Sequence, residues 1–291
     1  MTTSTSPAPR LDHARYCAEI LEQTRLLRRT LDGADLSATV PTCPDWSLRE
    51  LAVHVGGSHR WAHEIVRTRA AEEVEEETVP GFHGPAAAPD AGGDAGRDAG
   101  GDAGRDAADA EALDAWLAEG AELLVAALRE AGPDTRVWSW SARTDAGFWA
   151  RRMTHETVVH RFDAAGAVPG TPYEVDAEVA ADCVDEWLDI LTDPVNEDDE
   201  ELHALRSRAG ESLHLHATDA PDGVDAEWLI ELTGDGVVWR RGHAKATVAL
   251  RGPLTDVLRV FHRRLPADAG SVEVLGDRGL LDFWLECTRW G

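Results

Sequence analysis

Apolar residues recur every three or four positions along much of the N-terminal part of the chain, the spacing of helices that bury one face. The pattern predicts five helices, at about residues 11–31, 47–65, 111–131, 146–165 and 175–191. Ser47 followed by Glu50 has the spacing of a capping box, which places the start of the second helix. We therefore expect residues 1–195 to form a domain built as a helical bundle.

From about Glu211 the pattern changes to the alternation of apolar and polar residues that is typical of strands. It predicts strands at about 212–217, 227–233, 237–241, 246–250 and 272–275, and helices at about 254–265 and 279–288. The acidic run at 196–201 is interpreted as a solvated linker. The predicted fold class is therefore α+β, with a small α+β domain at about residues 208–291 following the bundle.

A low-complexity segment at about residues 86–109 interrupts the helical pattern. The eight-residue sequence DAGGDAGR occurs twice in it, at Asp90–Arg97 and Asp98–Arg105. Alanine is the largest side chain in the repeat that could be buried, so burial cannot offset the entropy lost on ordering. We therefore predict a disordered loop inserted between two helices.

The charge balance excludes several classes of partner. The chain has 291 residues with 28 Lys and Arg against 54 Asp and Glu, so its formal net charge is −26. Such an acidic chain does not suit nucleic-acid phosphates or anionic membrane surfaces. No segment approaches the ~18 consecutive apolar residues of a membrane-spanning helix. The N-terminus lacks a secretory signal and the four cysteines are far apart, so we expect a cytoplasmic protein.

The fourth predicted helix has a carboxylate and an imidazole on a face that is expected to point into the bundle. Trp149, Met153, Glu156 and His160 recur at spacings of three and four, so they share that face. A buried carboxylate without a partner is costly, which means that Glu156 needs a cation or a metal ion.

On the second predicted helix, His54 shares a face with Leu51 and Val55 and also points inward. If the second and fourth helices are neighbours, His54, Glu156 and His160 converge. Two imidazole nitrogens and one carboxylate oxygen form a zinc ligand set that leaves a fourth position open, as in catalytic zinc sites. The alternative also stays open, because an isolated core histidine is commonly a hydrogen-bonded structural residue.

The other closely spaced histidines give weaker patterns for a metal site. His155 and His160 are five positions apart, which puts them about 140° apart around a helix and excludes the ligand pair of the zinc proteases. His59 and His63 are interpreted as residues of a polar helix face. His214 and His216 are interpreted as ordinary residues of a sheet.

Two segments of the bundle resemble motifs of the mycothiol-dependent maleylpyruvate isomerase family. They are Val40–Gly57, with the sequence VPTCPDWSLRELAVHVGG, and Arg152–Ala164, with the sequence RMTHETVVHRFDA. The C-terminal part also resembles the small C-terminal domain of that family, including LRGP at 250–253 and LGD at 275–277. The resemblance covers nearly the whole chain except the insert, and it implies a DinB-like four-helix bundle followed by an α+β domain.

The resemblance implies an enzyme in which His54, Glu156 and His160 hold Zn²⁺ and mycothiol is the thiol cofactor or cosubstrate. In the family's reaction the thiolate adds to a cis double bond, the resulting single bond rotates, and elimination gives the trans product. A zinc ion suits this chemistry because it keeps a bound thiol deprotonated at neutral pH.

The family also uses an arginine of the C-terminal domain, for which Arg264, Arg251 and Arg263 are the candidates in this sequence, with Arg264 the first choice as the catalytic residue. The candidates for binding the small anionic or electrophilic substrate are Arg251, Trp46 and Trp149. Two alternative functions stay open. One is a mycothiol S-transferase that acts on an electrophile in detoxification or secondary metabolism, and the other is a non-catalytic metal-binding module.

Overall fold

The computed structural model of the chain describes residues 11–85 and 99–289. The chain divides into two compact units, the first at His13–Tyr173 and the second containing Glu174–Gly291. Within the described residues, no helix combines the length and the apolar character that crossing a membrane requires.

The first unit is a bundle of four helices with a short hairpin. The elements are α1 (His13–Leu31), β1 (Thr39–Val40), β2 (Cys43–Ser47), α2 (Leu48–Thr68), α3 (Ala99–Ala131) and α4 (Ala146–Ala167). Helix α2 packs against α3 and α4, and α1 packs against α3 and α4. This confirms the predicted helical bundle, and the second and fourth predicted helices are neighbours.

The starts of α2 and α4 are set by side chains that accept from free backbone N–H groups. Before α2, the Ser47 hydroxyl accepts from the Glu50 amide, and the Glu50 carboxylate accepts from the Ser47 amide at 2.7 Å. Before α4, the Asp145 carboxylate accepts from the Phe148 amide at 2.8 Å. Such caps satisfy donors that the first turn of a helix leaves unpaired. The predicted capping box is therefore confirmed.

A glycine lets α2 approach α3 closely in the core of the bundle. A Cβ atom added at Gly56 would lie 2.0 Å from the ring of Trp116 on α3. Around this contact, Leu51, Val55 and Leu117 are fully buried. The close approach helps to fix α2, the helix that carries His54.

The predicted disordered insert is only partly open to comparison with the structure. Its residues 86–98 lie outside the described residues. Residues 99–109 form the first turns of α3, so the prediction of disorder is wrong there. The buried segment around Leu113 supplies the helix nucleus, and elongation from an existing helix avoids the cost of nucleation. The four alanines of 99–109 favour this extension, whereas its three glycines oppose it.

The second unit is a five-stranded sheet with helices, as the α+β prediction requires. The elements are α5 (Ala177–Leu191), α6 (Glu200–Ala204), β3 (Ser212–Ala217), β4 (Glu227–Thr233), β5 (Gly236–Arg241), β6 (Val248–Gly252), α7 (Leu254–Phe261), β7 (Glu273–Gly276) and α8 (Arg278–Cys287). The strand order is β5-β4-β3-β6-β7, and only β3 and β6 run parallel. One sheet face buries Leu213, Leu215, Trp228 and Ile230.

Part of the predicted acidic linker at 196–201 is helical instead. Asp199 accepts from the Leu202 amide at 2.9 Å and caps α6, whose Leu202 is buried. An aspartate is a favourable helix cap, so an acidic run can begin a helix as well as form a solvated linker.

Helix α5 belongs to the second unit. Its buried Asp185 accepts from the indole N–H of Trp228 at 2.7 Å and pairs with Arg241 at 2.7 Å. It also packs against α7. The predicted domain boundary near residue 195 therefore differs from the observed division between Tyr173 and Glu174.

Candidate metal centre

His54 of α2 and Glu156 and His160 of α4 meet inside the bundle. Oε1 of Glu156 lies 2.8 Å from Nε2 of His54 and 3.1 Å from Nε2 of His160. The ligand-type atoms of the three side chains all lie within 4.8 Å of one another. The structure thus brings together the three residues that the helix faces and the resemblance selected.

The three residues are not equally buried. The side chain of His54 is 38% exposed, whereas those of Glu156 and His160 are 19% and 11% exposed. The site is therefore open to solvent mainly on the side of His54, where a small molecule has access.

A buried carboxylate orients His160. Asp163 Oδ2 lies 2.9 Å from Nδ1 of His160, and the Thr42 hydroxyl donates to Asp163 Oδ1 at 2.6 Å. With Nδ1–H donated to Asp163, the Nε2 atom of His160 faces Glu156 and the His54 side chain. Sequence reasoning missed both partners, although Asp163 lies three residues after His160, which is a spacing of neighbours on a helix.

The charges around Glu156 keep its carboxylate ionised. Burial acts to raise the pKa of Glu156, but His160 and His54 outweigh it and hold that pKa well below its ordinary value. Arg152 adds to this effect, because its Nη2 lies 3.0 Å from Oε2 of Glu156. Sequence reasoning also missed Arg152, which is one helical turn before Glu156.

The same contacts raise the pKa of His160. Burial acts to lower the pKa of His160, but the carboxylates of Glu156 and Asp163 outweigh it and raise the pKa to about 9. In the absence of a metal ion the imidazole is therefore charged at neutral pH.

The donor set fits zinc. Imidazole nitrogen and carboxylate oxygen are zinc ligands, and three protein ligands leave one position for water or substrate. The Asp163–His160 contact is the carboxylate–histidine arrangement that commonly orients a zinc ligand.

Comparison with known proteins assigns the chain to a family. Residues 17–165 match the family described as the mycothiol maleylpyruvate isomerase N-terminal domain, and residues 178–283 match the MDMPI C-terminal domain. The chain belongs to the mycothiol maleylpyruvate isomerase family.

Solved structures of one enzyme of that name resemble the chain. A crystal structure of the mycothiol-dependent maleylpyruvate isomerase is 17% identical, with a TM-score of 0.49 over 91% of this chain and 93% of that chain. A mutant of that isomerase is 16% identical, with a TM-score of 0.48 over the same shares of the two chains, 91% and 93%. No curated protein matches the sequence.

The two tryptophans predicted to line a substrate cavity occupy different surroundings in this member of the isomerase family. The Trp46 ring lies 4.8 Å from the ring of His54 and 6.1 Å from that of His160, measured between centroids. Trp149 is fully buried, and its indole N–H donates to the Trp138 carbonyl at 2.8 Å. A side chain without exposed surface cannot contact substrate, so the prediction for Trp149 is corrected to a core residue.

The two predicted arginines lie in the second unit. Arg251 is an exposed residue of β6, and its Nη1 lies 3.5 Å from the Glu273 carboxylate on β7. Arg264 follows α7, and its Nη1 donates to the His262 carbonyl at 2.9 Å. Their roles in the family's chemistry stay predictions.

The other histidine pairs also differ from their interpretation. His59 is fully buried and lies 2.8 Å from the Thr157 hydroxyl, so it does not belong to a polar face. Burial lowers its pKa to about 4. In the second unit, His214 and His216 join Glu227 and His243 in another group whose ligand atoms lie within 4.8 Å of one another.

Proposed function

We propose that the chain is a zinc-dependent enzyme that uses mycothiol to convert a small cis-olefinic acid of the maleylpyruvate type into its trans isomer. The observation that carries the proposal is the meeting of His54, Glu156 and His160 around one carboxylate oxygen, in a chain whose family is the mycothiol maleylpyruvate isomerases. The four free cysteines fit a reducing cytoplasm as the place of action.

Zinc held by His54, Glu156 and His160 would supply one property, which is to keep a bound thiol deprotonated at neutral pH. The chain's own residues prepare the site for this. Asp163 fixes the imidazole of His160 so that Nε2 is presented to the site. Arg152 holds the second oxygen of Glu156, which leaves Oε1 for the site.

Trp46 supplies an apolar wall beside the two imidazoles. An apolar ring next to a charged site excludes water and strengthens electrostatic interactions there. We assign this role to Trp46 alone, since Trp149 is enclosed in the core.

The substrate is anionic, and the chain has a formal net charge of −26, so local positive charge is needed to bind it. Arg264 and Arg251 are the proposed carboxylate-binding residues, since guanidinium groups recognise carboxylates in a bidentate manner. Substituting each of them by glutamine tests this assignment, because a substrate-binding role predicts a rise in KM in at least one of the two variants.

The test of the proposed function is incubation of the purified protein with mycothiol and maleylpyruvate, after zinc has been measured by elemental analysis. We expect about one zinc bound at this site and formation of the trans product with recovery of free mycothiol. The His54→Ala and Glu156→Ala variants are expected to lose both the zinc of this site and the activity. His63→Ala, on the same helix α2, is the matched control and should retain both.

Two outcomes would contradict the proposal. A stable thioether in place of an isomerised product would identify an S-transferase instead. A wild-type protein that takes up no metal at this site, or a Glu156→Ala variant with full activity, would exclude the metal-dependent mechanism.

A further inference from the structure

Three histidines and one glutamate meet on one face of the sheet in the second unit. His214 and His216 lie on β3, Glu227 lies on β4, and His243 follows the end of β5. Oε2 of Glu227 is 2.9 Å from Nε2 of His214, 3.1 Å from Nδ1 of His216 and 2.6 Å from Nδ1 of His243. Three imidazole nitrogens therefore surround a single carboxylate oxygen.

Strand pairing places three of these residues together. His216 is directly opposite Glu227 in the antiparallel pair β3–β4, and His214 is opposite Leu229, two residues further along. Residues two apart on a strand share a face, so His214, His216 and Glu227 all project from the face opposite the buried leucines of β3.

The backbone at Gly242 positions the fourth residue of the group, His243. The amide of Gly242 donates to the Glu227 carbonyl at 2.9 Å, which continues the pairing beyond β5. Gly242 has φ of 135°, a region that favours glycine, and there the chain leaves the regular strand geometry. The next residue, His243, can therefore direct its imidazole to the same face as Glu227.

Hydrogen bonds within the group account for two of the three contacts, those of His214 and His243 with Glu227 Oε2. A neutral imidazole has one N–H and one nitrogen lone pair, and here three rings converge on one oxygen. Nδ1 of His216 is buried and makes no aligned hydrogen bond, although it is 3.1 Å from Glu227 Oε2. Buried polar atoms in native proteins generally have a partner, so this nitrogen points to a missing one.

We propose that His214, His216, Glu227 and His243 form a second metal site that takes a divalent transition-metal ion, with Zn²⁺ as the first candidate. Imidazole nitrogens and one carboxylate oxygen are ligands that zinc and its neighbours in the first transition row accept. Four protein ligands complete a tetrahedral shell, which is typical of structural zinc sites. The ion would fasten the segment after β5 to β3 and β4.

Two arginines share the face of the group, so the negative charge of Glu227 is what a cation would need there. Arg240 is the partner of Leu229 in the pair β4–β5. Arg251 is the partner of His216 in the parallel pair β3–β6. Its guanidinium lies 3.5 Å from the Glu273 carboxylate of β7, so its charge is shared with an acidic neighbour. All four residues belong to the second unit, and the inference does not rest on the proposed function.

The test uses the full chain with His54→Ala and Glu156→Ala combined, so that the bundle site is removed. Zinc is titrated into this protein in competition with a chromophoric chelator. We expect one zinc per chain and a higher melting temperature with zinc than without it. Adding His243→Ala is expected to weaken zinc binding about tenfold or more, as loss of a ligand should weaken it at least as much as loss of an outer partner does.

His243 is the residue to substitute because its side chain is 73% exposed, so its removal leaves the core of the sheet in place. The matched control is His203→Ala, which removes a histidine of the same unit that lies outside the group. Glu227→Gln is the second variant, since it keeps the shape of the side chain and removes its charge. Weaker zinc binding in this variant, with the fold retained, is also expected.

Two results would overturn the proposal of a second metal site. One is that the protein with the bundle site removed takes up no zinc. The other is that His243→Ala and His203→Ala bind zinc with equal affinity. Both results are independent of isomerase activity, so failure of this inference is distinguishable from failure of the proposed function.

Discussion

Asp163 tests how much the orientation of a metal ligand contributes to zinc binding, because it contacts the ligand His160 and is not itself in the proposed ligand set. It is fully buried and contacts Nδ1 of His160, while the ligand nitrogen Nε2 faces the other side. We expect Asp163→Asn to weaken zinc binding at the bundle site about 10–100-fold, because the imidazole loses its charged partner. Competition titration with a chelator measures this, with the exposed Asp134→Asn as control. Unchanged affinity in Asp163→Asn would assign Asp163 a structural role only.

The pKa of His160 gives the bundle site a defined pH dependence. In the metal-free protein this pKa is raised to about 9, whereas zinc needs the neutral imidazole. Zinc binding must then displace a proton, so apparent affinity should rise about tenfold per pH unit up to about pH 9 and level off above it. Zinc titrations between pH 6.5 and pH 9.5 measure the slope. An affinity that does not change with pH would contradict the raised pKa.

The same shift affects the stability of the metal-free protein. Because the folded-state pKa of His160 lies above its ordinary value of 6.5, the charged contact stabilises the fold fully below about pH 6.5. That contribution is lost as the pH rises through about 9. Urea unfolding of metal-free protein across this range should therefore show a falling midpoint that His160→Ala does not show.

At the scale of single residues, sequence predicts those whose position follows from a helix face. Helical geometry is local, so the sequence alone places His54, Glu156 and His160 on inward helix faces. His243 could not be selected, because its place depends on the φ of Gly242 and on the register between β3 and β4. Thr42 could not be selected either, since its contact with Asp163 joins positions 121 residues apart.

At the scale of elements, the stability of the bundle should depend most strongly on the close packing of α2 on α3. A Cβ at Gly56 would lie 2.0 Å from the Trp116 ring, so we expect Gly56→Ala to lower the free energy of unfolding by about 1–3 kcal/mol. Gly166 of α4 has no atom within 4 Å of an added Cβ, so Gly166→Ala should raise that free energy by up to about 1 kcal/mol. Chemical denaturation compares the two variants, and equal effects would contradict the packing.

Element boundaries were predictable where the deciding contacts lie within a few residues. The start of α2 follows from Ser47 and Glu50, which contact each other across one turn. The hairpin of β1 and β2 was not predicted, because its strands have only two and five residues and Pro44 lies inside the second. Short strands of this kind depend on tertiary contacts rather than on the periodicity of their own sequence.

At the scale of the whole molecule, the assignment of α5 shows the limit of periodicity. Helical pattern alone groups α5 with the four preceding helices, since periodicity does not show which partner a helix face meets. Asp185 of α5 contacts Trp228 and Arg241, which lie 43 and 56 residues further along the chain, and these contacts place α5 in the second unit. A buried carboxylate needs such partners, but the sequence does not say which arginine supplies the charge.

This assignment makes a prediction about which fragments of the chain fold. A fragment of residues 174–291 contains α5 with its partners and should unfold cooperatively in urea, as followed by tryptophan fluorescence. A fragment of residues 196–291 lacks Asp185, so Arg241 loses its buried partner and α7 loses the helix that packs against it. Loss of one partner of a buried ion pair costs about 3–5 kcal/mol, which is a large part of the stability of a small domain. We therefore expect the shorter fragment to unfold at a much lower urea concentration or to aggregate, and equal midpoints for the two fragments would place the boundary after α5.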